Sequence, residues 1–327
     1  MPNEKTEIAI WNGTHPAKRT ELLPELIAES GDAAQFTYEE FFHGKIRNPR
    51  TRKTYRHAVN RFLDWARSCG LELARIAPAH VGRYLDGLAL APATKKLHLA
   101  AIRHFFDELV VRHVVVLNPA ACVRGERLQV IEGTTPEIPR EQARMLVHSI
   151  DTSHVVGLRD RAVISVLIYT AARVGAVAGL CQRDLYDSGG QLCLRFHEKA
   201  GKRREIPVRH DLQRYLQEYL TALIPESIAP ETPMFLTAVR RTKQLTQNPM
   251  TAGDIGRMLK RRLSDYGFST RLSPHSFRVC TITDLLEQGV PLEDVQYLAG
   301  HADPRTTRLY DRRQRRVTRN IVERISV

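Results

Sequence analysis

From residue 35 to about 121, apolar side chains recur every three to four positions, the period of one helix face. FTYEEFFHG predicts a short helix. Asn48-Pro49 starts a long one, along which Tyr55, Val59, Phe62 and the Trp65-Ala66 pair form the apolar stripe. A third helix begins at Pro78. A fourth begins at Pro92, with Leu97, Ala101, Phe105 and Leu109 on one side. Proline suits these starts because the first N–H groups of a helix have no intrahelical partner. Short connections between such helices predict a small bundle spanning residues 35–121. Residues 1–34 mix charge, proline and glycine and are expected to be a tail, with at most a turn of helix in LLPELIAES. Residues 122–138 lose the period and gain glycine, threonine and proline, as in an extended linker.

The helical period restarts at REQARMLVHSI, so a second domain occupies residues 139–327. Ala162 to Gln182 is almost wholly apolar, but Arg173 in its midst and glycines at 175 and 179 favour a buried soluble helix and turn over a membrane span. QLCLRF alternates, with Leu192, Leu194 and Phe196 on one face, and RREIPV returns, which predicts a hairpin with HEKAGKR between its strands. Amphipathic helices follow in HDLQRYLQEYLTAL and AGDIGRMLKRRLSDYGF; Arg257, Lys260, Arg261 and Arg262 of the latter are expected to be available to phosphates. Between Leu272 and Asp311 lie three helix starts: Ser273-Pro274, Pro291 and Asp303-Pro304, with Gly300-His301 as a stop before the third. The final segment carries Val317, Ile321 and Ile325 on one face, as in a terminal tail helix. The fold class is mainly α with a small β-sheet: a helical bundle followed by an α+β domain.

Charge narrows the choice of partner. The chain carries 49 Lys and Arg against 36 Asp and Glu, a net charge of +13, with a pI of about 9.8, so a polyanion is the first expectation. Phe41 to Leu63 contains no acid, yet carries Lys45, Arg47, Arg50, Arg52, Lys53, Arg56 and Arg61. The fourth helix adds Lys95, Lys96, His98, Arg103 and His104. A solvated basic face accounts for most such runs; two in one small bundle favour a clamp on a DNA backbone. The five cysteines are scattered without a C-x-x-C pair, which suits a reducing cytoplasm, here close to the nucleoid. The first residues, MPNEKTEIAIWNG, hold no apolar core of signal-peptide length. No Walker A motif occurs and no carboxylates cluster for a two-metal site, so neither cofactor nor metal is expected.

The chemistry-bearing residues sit at the helix starts. His275 and Arg278 share a face near one helix N-terminus, His301 lies in the next corner, and Tyr310 follows nine residues later. Arg173, alone in an apolar stretch, requires an anionic partner or a route to solvent. H-x-x-R, then G-H, then a tyrosine at this spacing resembles the C-terminal signature of the tyrosine recombinases, the phage-integrase family.

The resemblance spans about residues 35–325. It implies that residues 35–121 are a helical core-binding domain on DNA and that residues 139–327 are the catalytic domain. It implies that Arg173 is the first catalytic arginine: AARVGAVAGL stands where the family has a motif like GLRxSEL, with Ala176 in place of the acid that braces the arginine. Lys199 matches the lysine of a GKGxKxRxVP-like hairpin and is preferred to Lys202 by position. The implied catalytic set is Arg173, Lys199, His275, Arg278, His301 and Tyr310. Lys45, Arg47, Arg50, Arg52, Lys53, Arg56, Lys95, Lys96 and Arg103 are the expected DNA contacts. The implied activity is cleavage and rejoining of a double-stranded recombination site through a 3′-phosphotyrosyl intermediate and a Holliday junction, by a homotetramer on DNA. A type IB topoisomerase and a non-catalytic DNA-binding protein on this fold are the alternatives. Among nearby tyrosines, Tyr297 is expected to cap a core, and Tyr310, amid arginines, to form its phenolate most easily.

Overall fold

The structure, a computed structural model, describes residues 23–126, 135–198, 201–223, 229–240 and 242–311. They form two compact units that divide between Gln129 and Val130. In the first unit, α1 (Glu25–Glu29) and α2 (Asp32–Glu39) lead through a π-helical turn (Glu40–Lys45) to α3 (Pro49–Ser68), α4 (Pro78–Asp86) and α5 (Pro92–Val111). Proline occupies the first turn of the last three, as expected. Asn48 caps α3 by accepting the N–H groups of Arg50 and Thr51 at 3.0 and 3.2 Å.

Phe41, Phe42, Phe62, Phe105 and Phe106 fill the core of this unit. Leu26 and Ile27 of α1 are buried in the same core, so the unit begins earlier than residue 35 and residues 23–34 are not a tail. Alone, a five-residue helix would not hold. Burying each aliphatic side chain contributes roughly 1.5–3 kcal/mol, which is enough to dock it. The rest of the expected tail, residues 1–22, lies outside the described residues.

The second unit runs α6 (Arg140–Ser149), α7 (Val155–Thr170), α8 (Val174–Ala178), β1 (Leu185–Ser188), β2 (Gln191–His197), β3 (Arg203–Pro207) and α9 (His210–Ala222). It continues with β4 (Leu236–Ala238), β5 (Leu245–Pro249), α10 (Ala252–Asp265), α11 (Pro274–Glu287), α12 (Leu292–Ala299) and α13 (Pro304–Arg308). The strands make two antiparallel sheets, β1-β2-β3 and β4-β5. Phe196 of β2 pairs with Arg204 of β3, and Leu194 with Ile206. The alternation expected of the hairpin thus sends Leu194, Phe196 and Ile206 into the core, and Arg204 with them.

Helix α7 is buried along most of its length. No described helix is long and apolar enough to cross a membrane. Asp160, fully buried in α7, accepts from Arg159 Nε at 2.9 Å, from Arg261 Nη2 at 3.1 Å and from Arg262 Nε at 2.9 Å. Arg262 of α10 is therefore largely buried against Asp160, Arg261 pairs with Asp160 while half of its side chain stays exposed, and Arg257, exposed, pairs with Asp254 at 2.5 Å. Of the four basic residues expected to be available to phosphates, Arg262 is the one that a buried carboxylate on another helix withdraws from solvent. This cluster ties the first half of α7 to α10.

Candidate active site

Helix α7 stops at Ala171, which takes the left-handed conformation at φ 48° and ψ 25°. For a residue with a Cβ this costs roughly 1–2 kcal/mol. It turns the chain sharply, so that Arg173 follows as the cap residue of α8. The Ala171 carbonyl is held by Arg278 Nη1, while Nη2 of the same guanidinium donates to the carbonyl of Ala299, at the end of α12. Arg278 is 2% exposed, yet among the described residues no carboxylate forms an ion pair with it. Ala171, Ile282, Leu286, Val295 and Ala299 form a small apolar cluster beneath it, and Tyr310 packs at the edge of that cluster.

Helix α12 ends at Gly300 in the left-handed conformation, φ 62°. This delivers His301 into the buried corner, where its Nδ1 lies 2.9 Å from Thr307 Oγ1. Asp303 caps α13 by accepting the N–H of Arg305 at 2.8 Å, as expected from Asp303-Pro304. The short helix brings Tyr310 back over His301, with the rings stacked at 5.8 Å and 7°. The Tyr310 hydroxyl lies 3.2 Å from His275 Nε2. Arg173 closes the site: Nη1 donates to Glu198 Oε2 at 3.0 Å and Nη2 to the Gly300 carbonyl at 3.3 Å, while about half of its side chain stays open to solvent. The anionic partner and the path to solvent required of Arg173 are thus both present.

Burial and like charge set the protonation states. The His301 imidazole is pushed down to about 3 by burial, and then by Arg278, Arg173, His275 and Arg204. It is neutral at physiological pH. His275 is also held below the ordinary histidine value by loss of water around its inner edge and by Arg278 and Arg173, although part of its ring is exposed. Burial brings the Arg278 guanidinium down to about 10, so it remains a cation. Burial raises the Tyr310 phenol above its usual value, and Arg278 and Arg173 only partly oppose this. Tyr310 is therefore a protonated phenol at rest: the arginines that led the sequence reading to expect easy phenolate formation are outweighed by burial. Desolvating a phenolate outweighs two nearby positive charges.

Of the sequence-predicted set, Arg173, His275, Arg278, His301 and Tyr310 converge, whereas Lys199 lies outside the described residues. So do residues 312–327, the expected tail helix, and residues 127–134 of the expected linker. Tyr297 is 69% exposed and caps no core. It lies two positions from Val295, which on a helix is close to the opposite face. Tyr266 is held by the Ser149 carbonyl, outside the site. Two site residues escaped the sequence reading. Glu198 and Arg204 are each only 5% exposed at the side chain and pair at 3.1 Å. Arg204 also donates to the carbonyls of Thr170 and Leu298. A signal existed: Arg204 occupies the arginine of the hairpin motif and sits on the apolar face of an alternating strand. Glu198 carried none, since it stands at a glycine of that motif.

The nine expected DNA contacts divide by environment. Arg47, Arg50, Lys53 and Lys96 are exposed and form no ion pair among the described residues. Lys45 pairs with Glu108 at 2.5 Å, and Lys95 lies 3.6 Å from Glu126. Arg56 lies over the Phe42 ring and 2.9 Å from His43 Nε2. Arg52 donates twice to the Ile46 carbonyl, and Arg103 donates to the carbonyls of Ala120 and Val123, so both are spent on folding. His98, counted with the basic face of α5, is buried against the Tyr84 hydroxyl.

Comparison with known proteins agrees with this arrangement. The sequence profile of the phage integrase family matches residues 137–316, and that of a phage integrase N-terminal SAM-like domain matches residues 38–114. The chain is 30% identical to tyrosine recombinase XerC of Myxococcus xanthus over 251 residues, covering 73% of this chain and 79% of that protein. It is 26% identical to tyrosine recombinase XerD of Chlorobaculum tepidum, covering 84% and 88%. In fold it is similar to the XerH site-specific recombinase bound to its difH substrate, with a TM-score of 0.62 at 19% identity over 83% of this chain and 77% of that one. It is also similar to a lambda integrase dimer bound to a COC' core site, with a TM-score of 0.63 at 19% identity over 86% and 77%.

Proposed function

The chain belongs to the phage integrase family, and on that premise we propose that it cuts and rejoins double-stranded DNA at a specific site through a covalent bond to Tyr310. The observation that carries this reading is Arg278. It is a buried cation that no carboxylate pairs with directly among the described residues, and it is close to a tyrosine hydroxyl that already contacts a histidine. A phosphodiester supplies the missing anion. Arg173 and Arg278 take its non-bridging oxygens, since guanidinium forks match phosphate geometry. Charge builds on those oxygens as phosphorus is attacked, and fixed donors stabilise it without reorganising.

Because Tyr310 is protonated at rest, its proton leaves during the attack. His275, neutral and 3.2 Å away, is placed to accept it. The Tyr310 oxygen bonds to phosphorus, the bond to the 5′ oxygen breaks, and that oxygen takes a proton from Lys199 to leave as a 5′-hydroxyl. His301 acts as a neutral donor. We assign Thr307 Oγ1, 2.9 Å from Nδ1, as the donor of that hydrogen bond, which places the imidazole proton on Nε2, available to a non-bridging oxygen. One ester replaces another, so rejoining is the same step reversed and needs no nucleotide. Four protomers exchange strands in pairs through a four-way junction. The exposed Arg47, Arg50, Lys53 and Lys96 of the N-terminal unit contact the DNA backbone.

A nicked suicide duplex carrying the cognate site tests this reading. The unaltered protein forms a covalent adduct, and Tyr310→Phe binds equally well but forms none, while Tyr266→Phe and Tyr297→Phe still do. An adduct persisting in Tyr310→Phe removes that residue as the nucleophile. No adduct from the unaltered protein leaves only a DNA-binding role.

A further inference from the structure

Glu198 is the one carboxylate among the described residues that touches the arginines of this site. Its two oxygens are divided between two cations: Oε2 accepts from Arg173 at 3.0 Å and Oε1 from Arg204 at 3.1 Å. Its backbone N–H donates to the Lys202 carbonyl at 2.7 Å, beyond the last paired residues of β2 and β3. Gly300 packs directly against the pair. A Cβ there would lie 2.7 Å from Glu198 Oε2 and 3.2 Å from Arg204 Nε. The backbone that carries His301 is thus moulded around this ion pair. Ala176, one helical turn beyond Arg173, has no group to offer the guanidinium.

We infer that Glu198 is a positioning residue: it braces Arg173 for the reacting phosphate. This rests on the proposed function. Glu198 and the Gly300 carbonyl occupy two of the five N–H donors of Arg173 and leave three for a ligand. Among the described residues of the site, Arg173, Arg204 and Arg278 with one carboxylate leave two net positive charges. A phosphodiester carries one negative charge at rest and approaches two as the tyrosine oxygen attacks. Charge alone would favour that transition state even more without Glu198, so the brace acts through where it holds the Arg173 donors as charge develops. Without Glu198, Arg173 loses this brace and is free to follow the ground-state phosphate.

The two consequences separate binding from cleavage. In Glu198→Gln, half-site affinity is expected to be unchanged or up to about threefold tighter, while adduct formation on the suicide duplex slows at least tenfold. Glu198→Asp keeps the charge but, being one methylene shorter, cannot span both arginines. It is expected to cleave at an intermediate rate, and it carries the test alone if Glu198→Gln does not fold. Wild-type cleavage in either variant, or binding and cleavage weakened in equal measure, overturns the brace and leaves the proposed function standing. No adduct from the unaltered protein overturns both.

Discussion

Lowering the pH from 7.5 to 5.0 should destabilise the catalytic unit through His301. In the folded protein this imidazole titrates at about 3, against an ordinary value of 6.5. Burial is the first cause, and Arg278, Arg173, His275 and Arg204 all oppose a further positive charge. The unfolded chain therefore binds a proton between these two values that the folded chain does not. Stability rises with pH across that window and falls as pH drops below 6.5. Integrating from pH 7.5 to 5.0 gives a loss of about 2 kcal/mol from this residue, and about 5 kcal/mol once pH passes below the folded value. For a unit of this size, 2 kcal/mol lowers the melting temperature by roughly 4–8 °C. Other groups titrate too, so the comparison is with His301→Asn, which keeps a polar atom near Thr307 but cannot take the proton. Urea unfolding of both proteins at the two pH values yields a difference of differences, expected to be about 2 kcal/mol. Equal pH dependence in the two proteins would refute the burial argument, and with it the assignment of His301 as a neutral donor.

Asp160→Asn removes the buried anion shared by Arg159, Arg261 and Arg262; unfolding should show a loss of roughly 3–5 kcal/mol, and a loss under about 1 kcal/mol would mean that the cluster does not hold α7 to α10. Adjacent residues of α3 should behave oppositely. Arg52→Ala loses its bonds to the Ile46 carbonyl and lowers stability by about 1–2 kcal/mol, whereas Lys53→Ala leaves melting unchanged but weakens DNA binding and reduces its salt slope by about one. Gly300→Ala combines a left-handed backbone with a Cβ 2.7 Å from Glu198, so melting should fall by several degrees and adduct formation should slow; wild-type behaviour in both assays would show that the corner tolerates a side chain.

Local chemistry wrote the elements and much of the site into the sequence. Proline at the first turn marked α3, α4, α5, α11 and α13, because it needs no hydrogen-bond donor there and resists any earlier start. Gly300 marked the stop after α12, because it alone takes the left-handed turn without strain. Those punctuation marks, with the spacing of His275, Arg278, His301 and Tyr310, were sufficient to bring four side chains together. What the tertiary structure decided were the partners and the protonation states. Whether Arg52 or Lys53 is free, whether Arg262 faces solvent or Asp160, and which carboxylate restrains Arg173 depend on groups that meet only when distant segments pack. Glu198 lies 25 residues from Arg173, and no local rule relates them. The resting state of Tyr310 is of the same kind. Its neighbours in sequence are cationic and favour a phenolate, but the packed site removes the water that a phenolate needs, and the cost of lost hydration exceeds the attraction of the arginines.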